Sequence, residues 1–115
     1  MNLYKIGKRG EEEAVRVLIQ TGFRVVERNF RTKTGEIDII AEDGETLVFV
    51  EVKNWSSYGP EDLENSITPK KQERIIKTAK YFLSIHRKYS DMKIRFDVIF
   101  FGTQGIKHLK SAFAE

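Results

Sequence analysis

The sequence predicts an α/β domain in which helices flank a central mixed β-sheet. Two segments carry apolar residues at helical spacing, five carry strand-like runs, and the two kinds are interleaved along 115 residues. A chain of that length fits one domain, residues 1–115, and buries roughly 65% of its unfolded surface without needing disulfides to fold. Forty per cent apolar residues, with eight Phe, four Tyr and one Trp, supply the core.

The elements follow in order. A first helix is expected over residues 4–20, closed by Thr21-Gly22. At 100° per residue Tyr4, Gly7, Ala14, Val15 and Leu18 share one face, with Glu11 in the middle of it. Residues 23–31 read as a strand. Residues 36–41 and 46–53 are the strongest strand signals, joined by Glu42-Asp43-Gly44-Glu45, with Asp43-Gly44 expected as a two-residue hairpin turn. Residues 56–67 read as a loop around Gly59-Pro60. Thr68 is placed to cap a second helix that begins at Pro69 and runs to about residue 86. Its apolar stripe is Ile75, Ile76, Ala79, Phe82 and Leu83, and Lys70, Arg74, Lys77 and Lys80 lie opposite. Residues 93–101 form another strand, 102–105 a turn and 106–110 a short last strand.

Composition removes several chemistries. With no Cys there are no disulfides, thiolate metal sites or cysteine nucleophiles, and two His are too few for a histidine-based zinc site. No apolar run approaches the roughly 18 residues of a membrane span, and the first residues carry no signal-peptide pattern, so a cytoplasmic location is expected. Gly7-Lys8-Arg9-Gly10 has the wrong spacing for a phosphate loop, and two His support no Ser-His-Asp arrangement. The net charge of +3 is unevenly spread. Residues 1–57 carry 9 basic and 10 acidic side chains, whereas residues 66–95 carry 9 against 2. That asymmetry reads either as a polyanion partner meeting a carboxylate-lined site or as a solvated helix face.

The chemistry concentrates on the central hairpin. Val48, Val50 and Val52 point to one face, and Leu47, Phe49, Glu51 and Lys53 to the other. Asp38 interrupts the partner strand between Ile37 and Ile39, with Glu36 and Ile40 on its own face. With a turn at Asp43-Gly44, Asp38 stands opposite Phe49, Glu36 stands opposite Glu51, and Asp38, Glu51 and Lys53 share a face; a loop one residue longer would separate them. Burying isolated carboxylates costs several kcal/mol unless something compensates them. Either Lys53 neutralises them in an internal network, or the excess of acid serves a hard cation.

Asp38 followed by Glu51-Val52-Lys53 resembles the D…(D/E)-x-K signature of the PD-(D/E)xK nucleases. The wider pattern resembles the YraN family of small bacterial proteins over nearly the whole chain. It comprises Gly10-Glu11, Arg28-Asn29, Gly35-Glu36-Ile37-Asp38, Phe49-Val50-Glu51-Val52-Lys53, Lys71-x-x-Arg74, Arg95-Phe96-Asp97-Val98 and Ala112-Phe113. That family is similar to nucleases of the Holliday junction resolvase type. The resemblance implies a restriction-endonuclease-like core that hydrolyses phosphodiester bonds in DNA, including branched DNA, and that works as a homodimer. It implies Mg²⁺ or Mn²⁺ held by Asp38, Glu51, the Val52 carbonyl and Glu11, with Lys53 as the catalytic lysine. The chain departs from the pattern in reading Glu-Ile-Asp without the proline, and in carrying Asn54-Trp55 where relatives often have a basic residue.

Further candidates lie outside this hairpin. Lys70, Lys71, Arg74 and Lys77 read as phosphate contacts or as a solvated face; Arg28 and Arg31 as backbone contacts or idle surface; Trp55 and Tyr58 as base-stacking or partly buried rings. His86 and His108 read as packing residues, and Asp97 as the partner of a neighbouring base. Two function classes follow: a metal-dependent nuclease, or a catalytically silent nucleic-acid-binding or scaffold module of the same fold.

Overall fold

The computed structural model describes residues 3–54, 67–103 and 105–115, and among these the side chains from residue 10 onward. In chain order the elements are α1 (Leu3–Gln20), β1 (Arg24–Thr32), β2 (Gly35–Asp43), β3 (Thr46–Asn54), α2 (Pro69–Ile85), a 3-10 turn (Arg87–Tyr89), β4 (Lys93–Gly102) and β5 (Gly105–Phe113). The five strands form one sheet in the order β1-β2-β3-β4-β5. Only the β3–β4 pairing is parallel, and α2 lies in that crossover. Thr68 caps α2 as expected, its Oγ1 accepting from the Lys71 N–H at 3.1 Å.

The helices cover opposite faces. Ala14 and Leu18 of α1 pack with Ile39, Ala41, Val48, Val50 and Ile99. Ile75, Ala79 and Phe82 of α2 pack with Ile40, Leu47, Phe49, Phe96, Val98 and Phe100. Strand β3 is therefore buried on both sides, which accounts for its unbroken apolar run from Leu47 to Val50. By the same alternation Glu51 and Lys53 continue the α2 side. Gly10 is needed where α1 crosses β4, because a Cβ there would stand 3.1 Å from the Phe101 ring.

Three expectations are corrected. The hairpin closes at Asp43↔Thr46, so the turn is Gly44-Glu45 and not Asp43-Gly44. Gly44 takes φ +61° at the first central position, where both favoured hairpin turns demand it. The register moves by one pair, bringing Asp38 level with Glu51 instead of Phe49 without changing its parity. The last strand runs to Phe113 and not to residue 110, because β5 bulges around Ser111 (φ +53°) and then re-pairs at Phe96↔Phe113. The alternation in β2 also breaks. Ile37 packs on the α2 side and Ile39 on the α1 side, although residues two apart in a regular strand share a face.

Candidate active site at a fork in the sheet

The break lies across from an irregular residue of β1. Asn29 of β1 sits between the Arg28↔Ile39 and Phe30↔Ile37 pairs, across from Asp38, and adopts φ +54°. Asn tolerates this left-handed conformation better than most residues. The β2–β3 ladder runs from Asp43↔Thr46 to Ile39↔Val50 and, among the described residues, ends there. Beyond that point β2 stays with β1 as far as Thr32↔Gly35, and β3 stays with β4 as far as Asn54↔Phe101. The sheet forks, with Asp38 and Glu51 at the point of separation. A carboxylate then takes a place in the ladder: the Val52 N–H donates to Asp38 Oδ2 at 2.8 Å.

Four charged side chains gather at this fork. Lys71 of α2 reaches Glu51, Nζ to Oε1 3.6 Å, with the Glu51 side chain only 11% exposed. Asp38 is pushed up to about 8, first by burial and next by the charge of Glu51; the hydrogen bond from Val52 pulls the other way and is outweighed. Lys53 is pulled below its ordinary value by burial and by the adjacent Lys71 amine, against the opposing attraction of Glu51 and Asp38. For Lys71 burial is also the largest influence and lowers its value. The combined effect of Lys53, Glu51 and Asp38 exceeds it, so Lys71 is raised. The result is a half-buried acid pair facing an amine pair, with a proton kept on Asp38 near neutral pH.

Glu11 is held next to this group and not inside it. Its Oε1 accepts from Asn29 Nδ2 at 2.8 Å and from Arg28 Nη2 at 3.4 Å. Asn29 thus ties α1 to the strand position across from Asp38. Among the described residues no three His, Cys, Asp or Glu side chains converge on one point.

The structure therefore brings together Asp38, Glu51, Lys53 and Lys71, and places Glu11 beside them through Asn29. Arg28, considered from sequence as a nucleic-acid contact, is engaged by Glu11, and Arg31 pairs with Glu36 at 3.2 Å. Lys70, Arg74 and Lys77 are exposed on α2. Trp55 and Tyr58 lie outside the described residues. Sequence reasoning passed over Asn29 as a site residue, although an Asn inside a strand run is itself a signal of irregular backbone. It also read Lys71 as a phosphate contact or a solvated residue, and not as the partner of Glu51.

A second acidic group lies on the α1 side. Asp97, fully buried, accepts from Arg95 Nε at 2.9 Å and Nη2 at 3.0 Å, and from the Ser111 N–H at 3.0 Å. His108 Nε2 lies 2.8 Å from its Oδ2. Burial alone would raise Asp97, but hydrogen bonds from His108, Arg95 and Ser111 hold it below its ordinary value. The ion pair expected for this residue is present.

Of the motif residues, Glu11 thus meets Arg28 and Asn29, and Asp38 meets Glu51 and Val52. Comparison with known proteins places them in a shared framework: residues 10–101 match the uncharacterised protein family UPF0102. The chain belongs to this family. A UPF0102 protein of Persephonella marina is 48% identical over 107 residues, covering 93% of this chain and 91% of the relative. One from Treponema denticola is 45% identical, covering 96% and 95%. One from Thermodesulfovibrio yellowstonii is 40% identical, covering 95% and 96%. The UPF0102 match begins at Gly10 and ends at Phe101, the two residues in contact where α1 crosses β4.

Proposed function

We propose that the fork is the active centre of a metal-dependent phosphodiesterase acting on nucleic acid. The observation that carries this reading is the convergence of Asp38, Glu51, Lys53 and Lys71 where two otherwise apolar strands part. A network evolved only for stability would match its acids with donors, as Asp97 is matched. Here one carboxyl instead keeps a proton, held there first by burial and next by its acidic neighbour.

The donor set fits a small hard cation. Asp38 and Glu51 offer anionic oxygens and the Val52 carbonyl adds a neutral one. Mg²⁺ takes such a sparse protein set alongside water and phosphate oxygens. When bound, Mg²⁺ or Mn²⁺ supplies charge neutralisation at phosphate and a more acidic water. The chain's own groups do the rest. Lys53, a point charge beside the carboxylates, orients the attacking water and stabilises negative charge developing on the phosphate. Lys71 holds Glu51 in place and presents a second cation to the same phosphate. Glu11, set by Asn29, adds negative potential at the margin of the site. The exposed cations of α2 supply affinity that is independent of base sequence.

The test is cleavage of single-stranded, duplex, flap and four-way-junction DNA, and of RNA, with Mg²⁺ or Mn²⁺. Wild-type protein is expected to cut at least one of these. Asp38→Asn and Glu51→Gln should each lower that rate by about 100-fold or more, while binding is retained. Wild-type protein that binds these substrates and cuts none would instead mark a catalytically silent binding module.

A further inference from the structure

Helix α2 carries Lys70, Lys71, Arg74, Lys77 and Lys80 against one acidic residue, Glu73. Among the described residues its ion pairs are Lys71–Glu51 and Lys80–Glu115, which leaves Lys70, Arg74 and Lys77 to solvent. These three and Tyr81 are spaced four, three and four residues apart, so they form one ridge about 16 Å long. The β1–β2 turn closes against that ridge. Thr34 Oγ1 lies 3.2 Å from Thr78 Oγ1, and a Cβ on Gly35 would stand 3.2 Å from Thr78 Oγ1 and 3.6 Å from Arg74 Cβ. Lys33, exposed in that turn next to Thr34, adds a further cation. At the far end Tyr81 is 52% exposed while its ring stacks on Phe30, centroids 6.3 Å apart and planes at 26°.

We propose that this ridge binds a single-stranded segment of nucleic acid, its phosphates on Lys70, Arg74, Lys77 and Lys33 and an unpaired base on Tyr81. The inference deepens the active-centre reading and rests on it for direction, since Lys71 at the head of the ridge touches Glu51. Unpartnered cations in a row fit a polyanion. A ring backed by a second ring and open to solvent offers a platform that a base can use only when it is not stacked within a duplex. The substrate is therefore one that presents unpaired nucleotides beside the bond to be cut.

The experiment measures binding of a short labelled single strand, and of the same sequence as a blunt duplex, by fluorescence anisotropy in EDTA. Tyr81→Ala should weaken single-strand binding about 5- to 100-fold and duplex binding less than about 2-fold, while Tyr81→Phe binds like wild type. Replacing Arg74 and Lys77 together by Gln should flatten the single-strand salt dependence by about 1.4 in log–log slope. Thermal melting of each variant checks that loss of the Phe30 contact has not unfolded it. Should Tyr81→Ala melt early, Tyr81→Leu takes its place, because it keeps apolar packing and removes the π-face. Unchanged single-strand affinity in the folded non-aromatic variant overturns the inference, as does an equal loss for duplex. A change in oligomeric state alone would assign Tyr81 and the exposed Ile85 to a second copy, and also overturns it. Normal cleavage with an indifferent Tyr81 refutes the ridge alone. Ridge-dependent binding by a wild type that never cuts refutes the active-centre reading alone.

Discussion

Asp38, half-buried, and Asp97, fully buried, are acids on the same five-stranded sheet, and their surroundings push them in opposite directions. Asp97 has Arg95, His108 and the Ser111 N–H converging on it and stays charged more readily than a free aspartate. Asp38 receives one N–H from Val52 and faces another acid, and it keeps its proton to about pH 8. Burial is the largest single influence on both. The number of donors aimed at the carboxylate decides the outcome: three groups converge on Asp97, and one N–H reaches Asp38.

The contrast breaks most visibly at Asp97. Asp97→Ala leaves His108 and the Ser111 N–H without their acceptor and Arg95 with Asp43 alone, and is expected to cost about 3 kcal/mol in urea unfolding. A loss below about 1 kcal/mol would mean that the network is incidental.

The pH dependence is next in size. Asp38 has a raised folded value, so its contribution in metal-free protein is fully present below about pH 4 and is lost as pH rises through about 8. Discounted for partial exposure, this amounts to roughly 2–4 kcal/mol across that window. Asp97 has a lowered folded value, so its contribution is present above the ordinary aspartate range and is lost as pH falls below it. Unfolding measured from pH 3 to 9 in EDTA should therefore show stability falling between about pH 4 and 8 on account of Asp38, and falling again at the acid end on account of Asp97. Asp38→Asn should flatten the first decline and leave the acidic one. If the decline from about pH 4 to 8 survives in that variant, its source is a group other than Asp38.

A smaller effect sharpens the same point. At ten times its dissociation constant, Mg²⁺ should stabilise wild-type protein by about 1.4 kcal/mol at pH 8, read as a rise in melting temperature. Asp38→Asn should show no such rise.

The smallest expected effect separates backbone from side chain at Asn29. Asn29→Ala should lose about 1 kcal/mol through its left-handed backbone. Asn29→Gly should keep that stability but release Glu11. A lower cleavage rate in the glycine variant with unchanged melting would mark Asn29 as a positioning residue.

Much of the site was legible because its signals are local. Glu51 and Lys53 follow apolar residues on their own face of a strand buried on both sides, and Glu11 sits on an apolar helix face. Such acids are conspicuous in any window of a few residues. The contact of Lys71 with Glu51 was not legible, since it comes from α2 packing back over the β3 end across the crossover, and no local period reports that. The hairpin turn was misplaced by one residue because Asp-Gly and Gly-Glu both suit a tight turn. Pairing across the whole hairpin chose between them.

The sequence by itself determined the order and kind of the elements, the Thr68 cap, the apolar faces of both helices, the doubly buried β3 and the residues able to do chemistry. Each of these depends on side-chain type and spacing within one segment. Only the tertiary structure decided that β2 and β3 part beyond Ile39 and Val50, that Asn29 and Asp38 stand across from each other at the break, and that Lys71 completes the fork. Those features depend on register and on contacts between segments up to 33 residues apart, from Asp38 to Lys71. They are settled by how two helices and five strands jointly bury their apolar faces.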